Sequence, residues 1–353
     1  MHEQEKAIIS AGNVLRIENL HTYFFTDLGI SRALNGVSFD VPTGKVLGVV
    51  GESGCGKTVT ALSIMQLVPH PGRTVKGRIL VRVGSGHADT VEITRLGRNS
   101  PEMRALRGGK IGMIFQEPMT SLNPSYTVGD QIMEAILIHQ HVTKGEAHDW
   151  AVEVLDRVGM PNPAMVAKRY PHELSGGMRQ RAMIAMALSC SPSILIADEP
   201  ATALDVTTEA QILDVIRELQ AHMGMTTMLI THNLGVVAQM CDNVVVMYLG
   251  RIVEQAPVDA IFYNPQHPYT RALLRSIPHV GSRTKVRLEP IRGVVPDPYA
   301  AITGCPFHPR CDFAKESLCD ACVPRLATTE QGHAVRCFLF SDQREDDHDA
   351  RTS

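Results

Sequence analysis

The sequence predicts an α/β fold in which a parallel sheet is flanked by helices. Three observations predict it. Val46-Leu47-Gly48-Val49-Val50 is a short, wholly non-polar run that leads into a glycine-rich turn and then a helical stretch, Thr58 to Leu67. Strand-like apolar runs return at Ile194 to Asp198, Thr226 to Thr231 and Val244 to Leu249, and a helix near Thr208 to His222 sits between the first two, giving the βαβ rhythm of a parallel sheet. From about 117 to 190 the apolar period becomes helical: Ala147, Trp150, Ala151, Val154, Leu155 and Val158 recur at steps of three and four on one face.

The remaining elements follow in chain order. Val14-Leu15-Arg16-Ile17 and Val37-Ser38-Phe39-Asp40-Val41 read as strands of an antiparallel β subdomain separated by a turn around Asp27 to Ile30. Ile111 to Phe115 is a further short strand ahead of the helical insertion. Beyond about residue 265 the composition moves toward Pro, His and Cys, which places a boundary there: a first domain over 1–265 with a helical subdomain at about 117–190, a Cys-bearing extension over 266–340, and an acidic, polar, unstructured tail over 341–353. The chain has 353 residues, enough for one large core and a smaller one. A net charge of -3 gives no electrostatic reason to expect a nucleic-acid partner. There is no apolar run of membrane-spanning length, and the polar start Met1 to Lys6 is unlike a secretory signal, so a cytosolic setting is expected.

The turn after Val50 is Gly51-Glu52-Ser53-Gly54-Cys55-Gly56-Lys57-Thr58, or G-x-x-x-x-G-K-T. Glycines let successive backbone N–H groups curl around a phosphate without a Cβ in the way. A lysine at that spacing brings fixed positive charge to β- and γ-phosphates, the Thr58 hydroxyl suits magnesium, and a helix N-terminus behind them favours anions. This makes the core a P-loop NTPase fold. The strand Ile194 to Asp198 ends in Asp198-Glu199, where Asp198 would hold magnesium and Glu199 would polarise an attacking water as general base. Leu174-Ser175-Gly176-Gly177-Met178 opens another helix, with Ser175 as N-cap and two glycines baring the first N–H groups. It is a second phosphate cradle, and a chain with one phosphate loop needs a partner to use it.

Taken together, these motifs resemble the ATP-binding subunits of ABC transporters over residues 14 to about 255. The phosphate loop, Gln116, the Leu174–Met178 signature, Asp198-Glu199, Ala203-Leu204-Asp205 and His232 stand in that family's order. The resemblance implies ATP and magnesium as ligands, with Gln116 on the metal and facing a transmembrane partner. It implies that Asp205 couples two sites across a dimer, that His232 contacts the γ-phosphate, and that Phe24, with Tyr23 and Phe25 as rivals, stacks on adenine. Met178 departs from the glutamine many members carry. Gln116 to Pro124, Asn264 to Thr270 and Gly304 to Cys311 are similar to the ATPase subunits of dipeptide and oligopeptide importers, and related importers of nickel, glutathione, oligosaccharides or opines share these stretches. That implies a peripheral subunit on the cytoplasmic face of the inner membrane. Its partners would be a second, different ATPase in a heterodimer, two permeases and an extracytoplasmic solute-binding protein. A soluble ABC ATPase acting on DNA or ribosomes and a non-catalytic regulator are the alternatives. Missing coiled coils and basic grooves count against the first, and Glu199 with His232 against the second.

Five of the eight cysteines, Cys305, Cys311, Cys319, Cys322 and Cys337, crowd into the extension. Disulfides fit a cytosolic chain poorly, and zinc remains open although the spacing is unlike paired C-x-x-C knuckles. The importer resemblance implies a [4Fe–4S] cluster on Cys305, Cys311, Cys319 and Cys337. Cys322 is an extra thiol that could replace Cys319, and the Cys311–Cys319 spacing is one residue longer than the subfamily pattern.

Overall fold

A computed structural model describes residues 9–10, 12–84, 89–117, 121–202, 204–276, 291–297, 299–300, 302–329 and 332–345. The chain opens with a long hairpin, β1 (Asn13–Thr26) and β2 (Gly29–Pro42), whose turn falls where the sequence places it. β3 (Val46–Val50) runs into α1 (Lys57–Ile64). β4 (Gly72–Arg82) and β5 (Thr90–Glu92) return to the hairpin, completing a four-stranded antiparallel sheet of order β2-β1-β4-β5. α2 (Pro101–Leu106), capped by Ser100, leads to β6 (Ile111–Ile114).

The helical insertion follows: α3 (Val128–His139), α4 (Lys144–Arg157), α5 (Pro163–Val166) and α6 (Gly176–Leu188). Local chemistry sets their starts. Thr143 and Glu146 form a reciprocal capping box at α4, and Thr127 caps α3. Gln131 on α3, almost fully buried, accepts the Asn123 N–H at 2.8 Å and donates to the carbonyls of Asn123 and Tyr126. It thereby pins the loop between β6 and the helices.

The chain then re-enters the main sheet through β7 (Ile194–Asp198), α7 (Val206–Met223), β8 (Thr226–Thr231), α8 (Leu234–Met240), β9 (Asn243–Tyr248) and β10 (Arg251–Pro257). α9 (Val258–Tyr263) and α10 (Pro268–Arg275) follow, and two short strands, β11 (Ala327–Thr328) and β12 (Ala334–Val335), come from the extension. The eight-stranded order is β11-β12-β10-β9-β3-β8-β7-β6, with β9, β3, β8, β7 and β6 parallel and the other three antiparallel.

The period-2 pleat divides the core cleanly. Leu47 and Val49, Ile194 and Ile196, Met228 and Ile230, and Val245 and Met247 face the antiparallel sheet and α1. Val46 and Val50, Leu195 and Ala197, and Val244 and Val246 face the helices of the insertion, α7 and α8. Burial on both faces explains why these strands read as continuous apolar runs. β12 pairs with β10 across position 265, so the extension continues the main sheet. The tail also departs from expectation. Glu345 is tied to Arg251 at 2.5 Å and to Arg336 at 2.9 Å, because the buried Arg336 guanidinium and the partly buried Arg251 beside it need a carboxylate. The unstructured tail read from Ser341 is therefore ordered through Glu345, and 346–353 lie outside the described residues.

Candidate functional site

The site gathers at the carboxyl ends of β3, β7 and β8. Gly51, Gly54 and Gly56 hold φ of 153°, 78° and 101°. At Gly56 a Cβ would come within 2.5 Å of the Ala33 carbonyl oxygen, and at Gly51 within 2.7 Å of Cys55 Sγ, so the loop is closed to side chains from behind. The Lys57 ammonium, almost wholly buried, donates to the carbonyls of Gly51 at 2.8 Å and Glu52 at 3.1 Å. The Cys55 N–H donates to the Glu52 carbonyl, and the Gly250 N–H to that of Cys55. Ser53 stands exposed at the loop's outer side.

Asp198 ends β7 at 1% exposure. Burial pushes its carboxyl up to about 6, partly offset by the Thr58 hydroxyl and the Lys57 charge. Its Oδ1 has no hydrogen-bond partner among the described residues. A buried, unpaired carboxylate oxygen beside a threonine hydroxyl and an ammonium is suited to a hard cation, and the residues fit magnesium.

Glu199 follows with φ of 47°, in the left-handed region that non-glycine residues rarely adopt, held by its N–H donating to the Ile230 carbonyl at 2.9 Å. That twist turns its carboxylate toward three partners. His232 Nδ1 lies 3.1 Å from Oε1, while the Thr202 hydroxyl donates to Oε2 at 2.9 Å and Gln116 Nε2 at 3.2 Å. Burial raises the Glu199 pKa, but the His232 and Thr202 hydrogen bonds and the positive charge nearby outweigh it, and the group stays below the usual carboxylate value. The sequence reading singled out Gln116, Asp198, Glu199 and His232, and the fold brings them together with the loop. It missed Thr202, whose only signal is that a residue three positions after Glu199 can fold back on it.

Ser175 caps α6, its Oγ accepting the Met178 N–H at 3.3 Å. A Cβ at Gly177 would come within 2.9 Å of Thr208 Cγ2 on α7. Among the described residues no hydrogen bond or ion pair joins Ser175, Gly176 or Gly177 to the phosphate loop. Asp205 caps α7, accepting the Thr208 N–H at 3.0 Å and its hydroxyl at 2.7 Å, while Ala203 lies outside the described residues. Phe24 lies on the antiparallel sheet against Gly72, where a Cβ would come within 2.6 Å of its Cε1. Of its rivals, Tyr23 bonds His21 and Asn35, and Arg73 sits 4.5 Å over the Phe25 ring.

In the extension, Cys305, Cys311, Cys319 and Cys337 line one cavity, and Cys322 stands outside its lining. All eight cysteines are free thiols. Burial pushes Cys305 up to about 12 and Cys337 to about 11. Each of the four faces a backbone N–H: Phe307 for Cys305, Phe313 for Cys311, Leu339 for Cys337, and Lys315, at 3.3 Å, for Cys319. Among the described residues no three His, Cys, Asp or Glu side chains are grouped to hold a single metal ion. Four soft thiols around one cavity, each with an N–H donor, are of the ligand type that zinc and iron–sulfur groups both take.

A family model described as ABC transporter matches residues 34–202, and another, the C-terminal region of oligopeptide/dipeptide transporters, matches 253–319. A peptide import ATP-binding protein of Brucella abortus (strain 2308) is 50% identical over 335 residues, covering 93% of this chain and 98% of its own. The chain belongs to the ABC transporter family. Among other relatives of this ABC ATPase, the dipeptide transport ATP-binding protein of Bacillus subtilis is 47% identical, covering 94% of this chain and 96% of its own. That of Escherichia coli (strain K12) is 44% identical, with 93% and 97% covered. An ATP-binding cassette solved as a dimer in a post-hydrolysis state with ADP and Pi has the same fold, with a TM-score of 0.60 at 24% identity over 69% of this chain and 98% of that one. CbiO1 from Clostridium perfringens has a TM-score of 0.58 at 26% identity, covering 72% and 92%. Among the described residues no helix is long and apolar enough to cross a membrane.

Proposed function

We propose that this chain is the ATP-hydrolysing subunit of an importer and that its cargo is di- and oligopeptides. The observation that carries the catalytic part is Glu199, turned by its left-handed backbone and held by Gln116, Thr202 and His232 beside Asp198. Lys57 and the N–H groups of the Gly51–Thr58 loop other than those of Glu52 and Cys55, which the protein itself takes up, bind the phosphates. Thr58, Asp198 and Gln116 would hold magnesium, which would supply positive charge to offset that of the phosphates. Glu199 orients the attacking water and accepts its proton, and His232 steadies Glu199 and meets the γ-phosphate. Phe24 stacks on the base. The unlinked Ser175–Gly177 cradle closes on a partner's nucleotide, and Asp205 sits at that junction.

The names of the relatives and the match to the transporter C-terminal region support peptide cargo. On this reading the chain pairs with a second, related ATPase and docks on two permeases served by an extracytoplasmic binding protein, at the cytoplasmic face of the membrane. Residues 1–265 form the nucleotide-binding domain, with its helical subdomain at about 117–190, and 266–340 form the extension. Cys305, Cys311, Cys319 and Cys337 hold a [4Fe–4S] cluster, and their exclusive place on the cavity supports Cys319 over Cys322. Bound there, such a cluster would have a structural or regulatory role.

Two measurements test these assignments. Glu199→Gln retains MgATP binding and lowers hydrolysis at its site by about 10²–10⁴, and unchanged turnover refutes the base. Anaerobic purification yields iron and acid-labile sulfide in equal amounts, and one equivalent of zinc without sulfide refutes the cluster.

A further inference from the structure

The phosphate loop is held from behind by residues that follow position 265. Glu52, the second residue of the loop, is gripped on both of its free groups. Its N–H donates to the Tyr269 hydroxyl at 2.8 Å. Its carboxylate takes a two-pronged hydrogen bond from Arg310, with Nη1 to Oε2 at 2.7 Å and Nη2 to Oε1 at 3.1 Å, across 258 residues of sequence. The Arg310 side chain is 4% exposed and is itself fixed. Its Nε donates to the Arg292 carbonyl at 2.8 Å, Nη1 also reaches the Tyr248 hydroxyl at 3.3 Å, and the guanidinium lies 5.8 Å from the Tyr248 ring centroid. Tyr248, Tyr269 and Phe307 brace one another, with ring centroids 4.7 to 5.4 Å apart.

We infer that Arg310 is a positioning residue for the phosphate loop, neutralising the Glu52 carboxylate and fixing the backbone from which Lys57 meets the nucleotide's phosphates. The inference rests on the reading of Gly51–Thr58 as the ATP site. Two physical effects point the same way. An unpaired carboxylate in this loop would repel a polyphosphate, and a half-buried setting screens that repulsion weakly. The Lys57 ammonium is anchored on the Glu52 carbonyl, so a Glu52 free to swing carries the lysine's anchor with it. A planar, forked cation answers both needs, and a lysine would answer only the charge.

The test is MgADP affinity, measured by calorimetry on the full-length chain. Arg310→Gln weakens MgADP binding about tenfold, in the range expected for losing a charge-assisted pair. Adding Glu52→Gln to that variant removes the stranded charge and restores most of the affinity. Arg310→Lys falls between wild type and Arg310→Gln, and it supplies the readout if the glutamine variant does not fold. An unchanged affinity in Arg310→Gln, or in Arg310→Lys where that is the readout, even with a lowered melting temperature, overturns the inference and leaves Arg310 a staple for the extension. A double variant no better than Arg310→Gln also overturns it. Lys57→Ala separates the two levels: if it binds MgADP normally, the ATP-site reading itself fails. If Lys57→Ala abolishes binding and the Arg310 variants are silent, only the positioning role fails.

Discussion

Gly56 concentrates two constraints on one backbone position. It carries φ of 101° as the cap of α1, and a Cβ would meet the Ala33 carbonyl oxygen at 2.5 Å and Leu34 Cδ2 at 2.8 Å. Neither neighbour retreats easily, because the first is backbone of β2 and the second, Leu34 on the same strand, is fully buried in the core. Gly56→Ala therefore costs about 1–3 kcal/mol in backbone strain alone and displaces Lys57, the next residue. The expected outcome is a lowered melting temperature together with loss of MgADP binding in a calorimetric titration. Glu199 shows the opposite use of the same conformational region. There a bulky residue accepts a left-handed backbone, and the gain is a carboxylate aimed at three partners. The glycine requirement is readable in the sequence because G-x-x-x-x-G-K-T leaves few alternatives. The strain at Glu199 is not, since nothing in Asp198-Glu199-Pro200 encodes a positive φ.

Elements with strong local signals are legible from the sequence alone. β3, β7 and β8 appear as apolar runs because both faces are buried, and the insertion appears because α4 keeps a regular apolar stripe behind a capping box. Ser175 as the cap of α6 is equally visible. The resemblance to transporter ATPases follows from the same local motifs. What escapes is whatever depends on distant partners. β11 and β12 span two residues each and exist only because β10 offers an edge. A boundary drawn at 265 from composition does not register that Glu254 on β10, wholly buried, accepts the N–H groups of Gln266 and His267 and bonds His333. Arg310 beside Cys311 reads as part of a cysteine-rich segment, yet its side chain belongs to the phosphate loop.

At the scale of the whole molecule, Glu345 ties the extension to the main sheet electrostatically. Arg336, 6% exposed, and Arg251 both take Glu345 as their carboxylate. Burial raises the Glu345 pKa, but the two arginines more than compensate and hold it below the usual carboxylate value. A depressed carboxylate adds stability that is fully present above its unfolded value and is lost as pH falls through the folded one. Glu345→Gln thus lowers the thermal midpoint at pH 7, by an amount equivalent to about 1 kcal/mol because the carboxylate is 36% exposed. The gap to wild type closes as pH falls through the depressed folded value. Melting curves across pH 3 to 8 check this, and a gap that persists at the acid end counts against the pairing. The reach of β12 back to β10 also orders events during synthesis. Until Ala334 and Val335 leave the ribosome, the outer rim of β10 has no strand neighbour and Glu254 lacks His333, so a nascent chain that has not yet delivered β12 carries an open, adhesive border. A product cut short before Ala334 would keep that border exposed and be prone to clump.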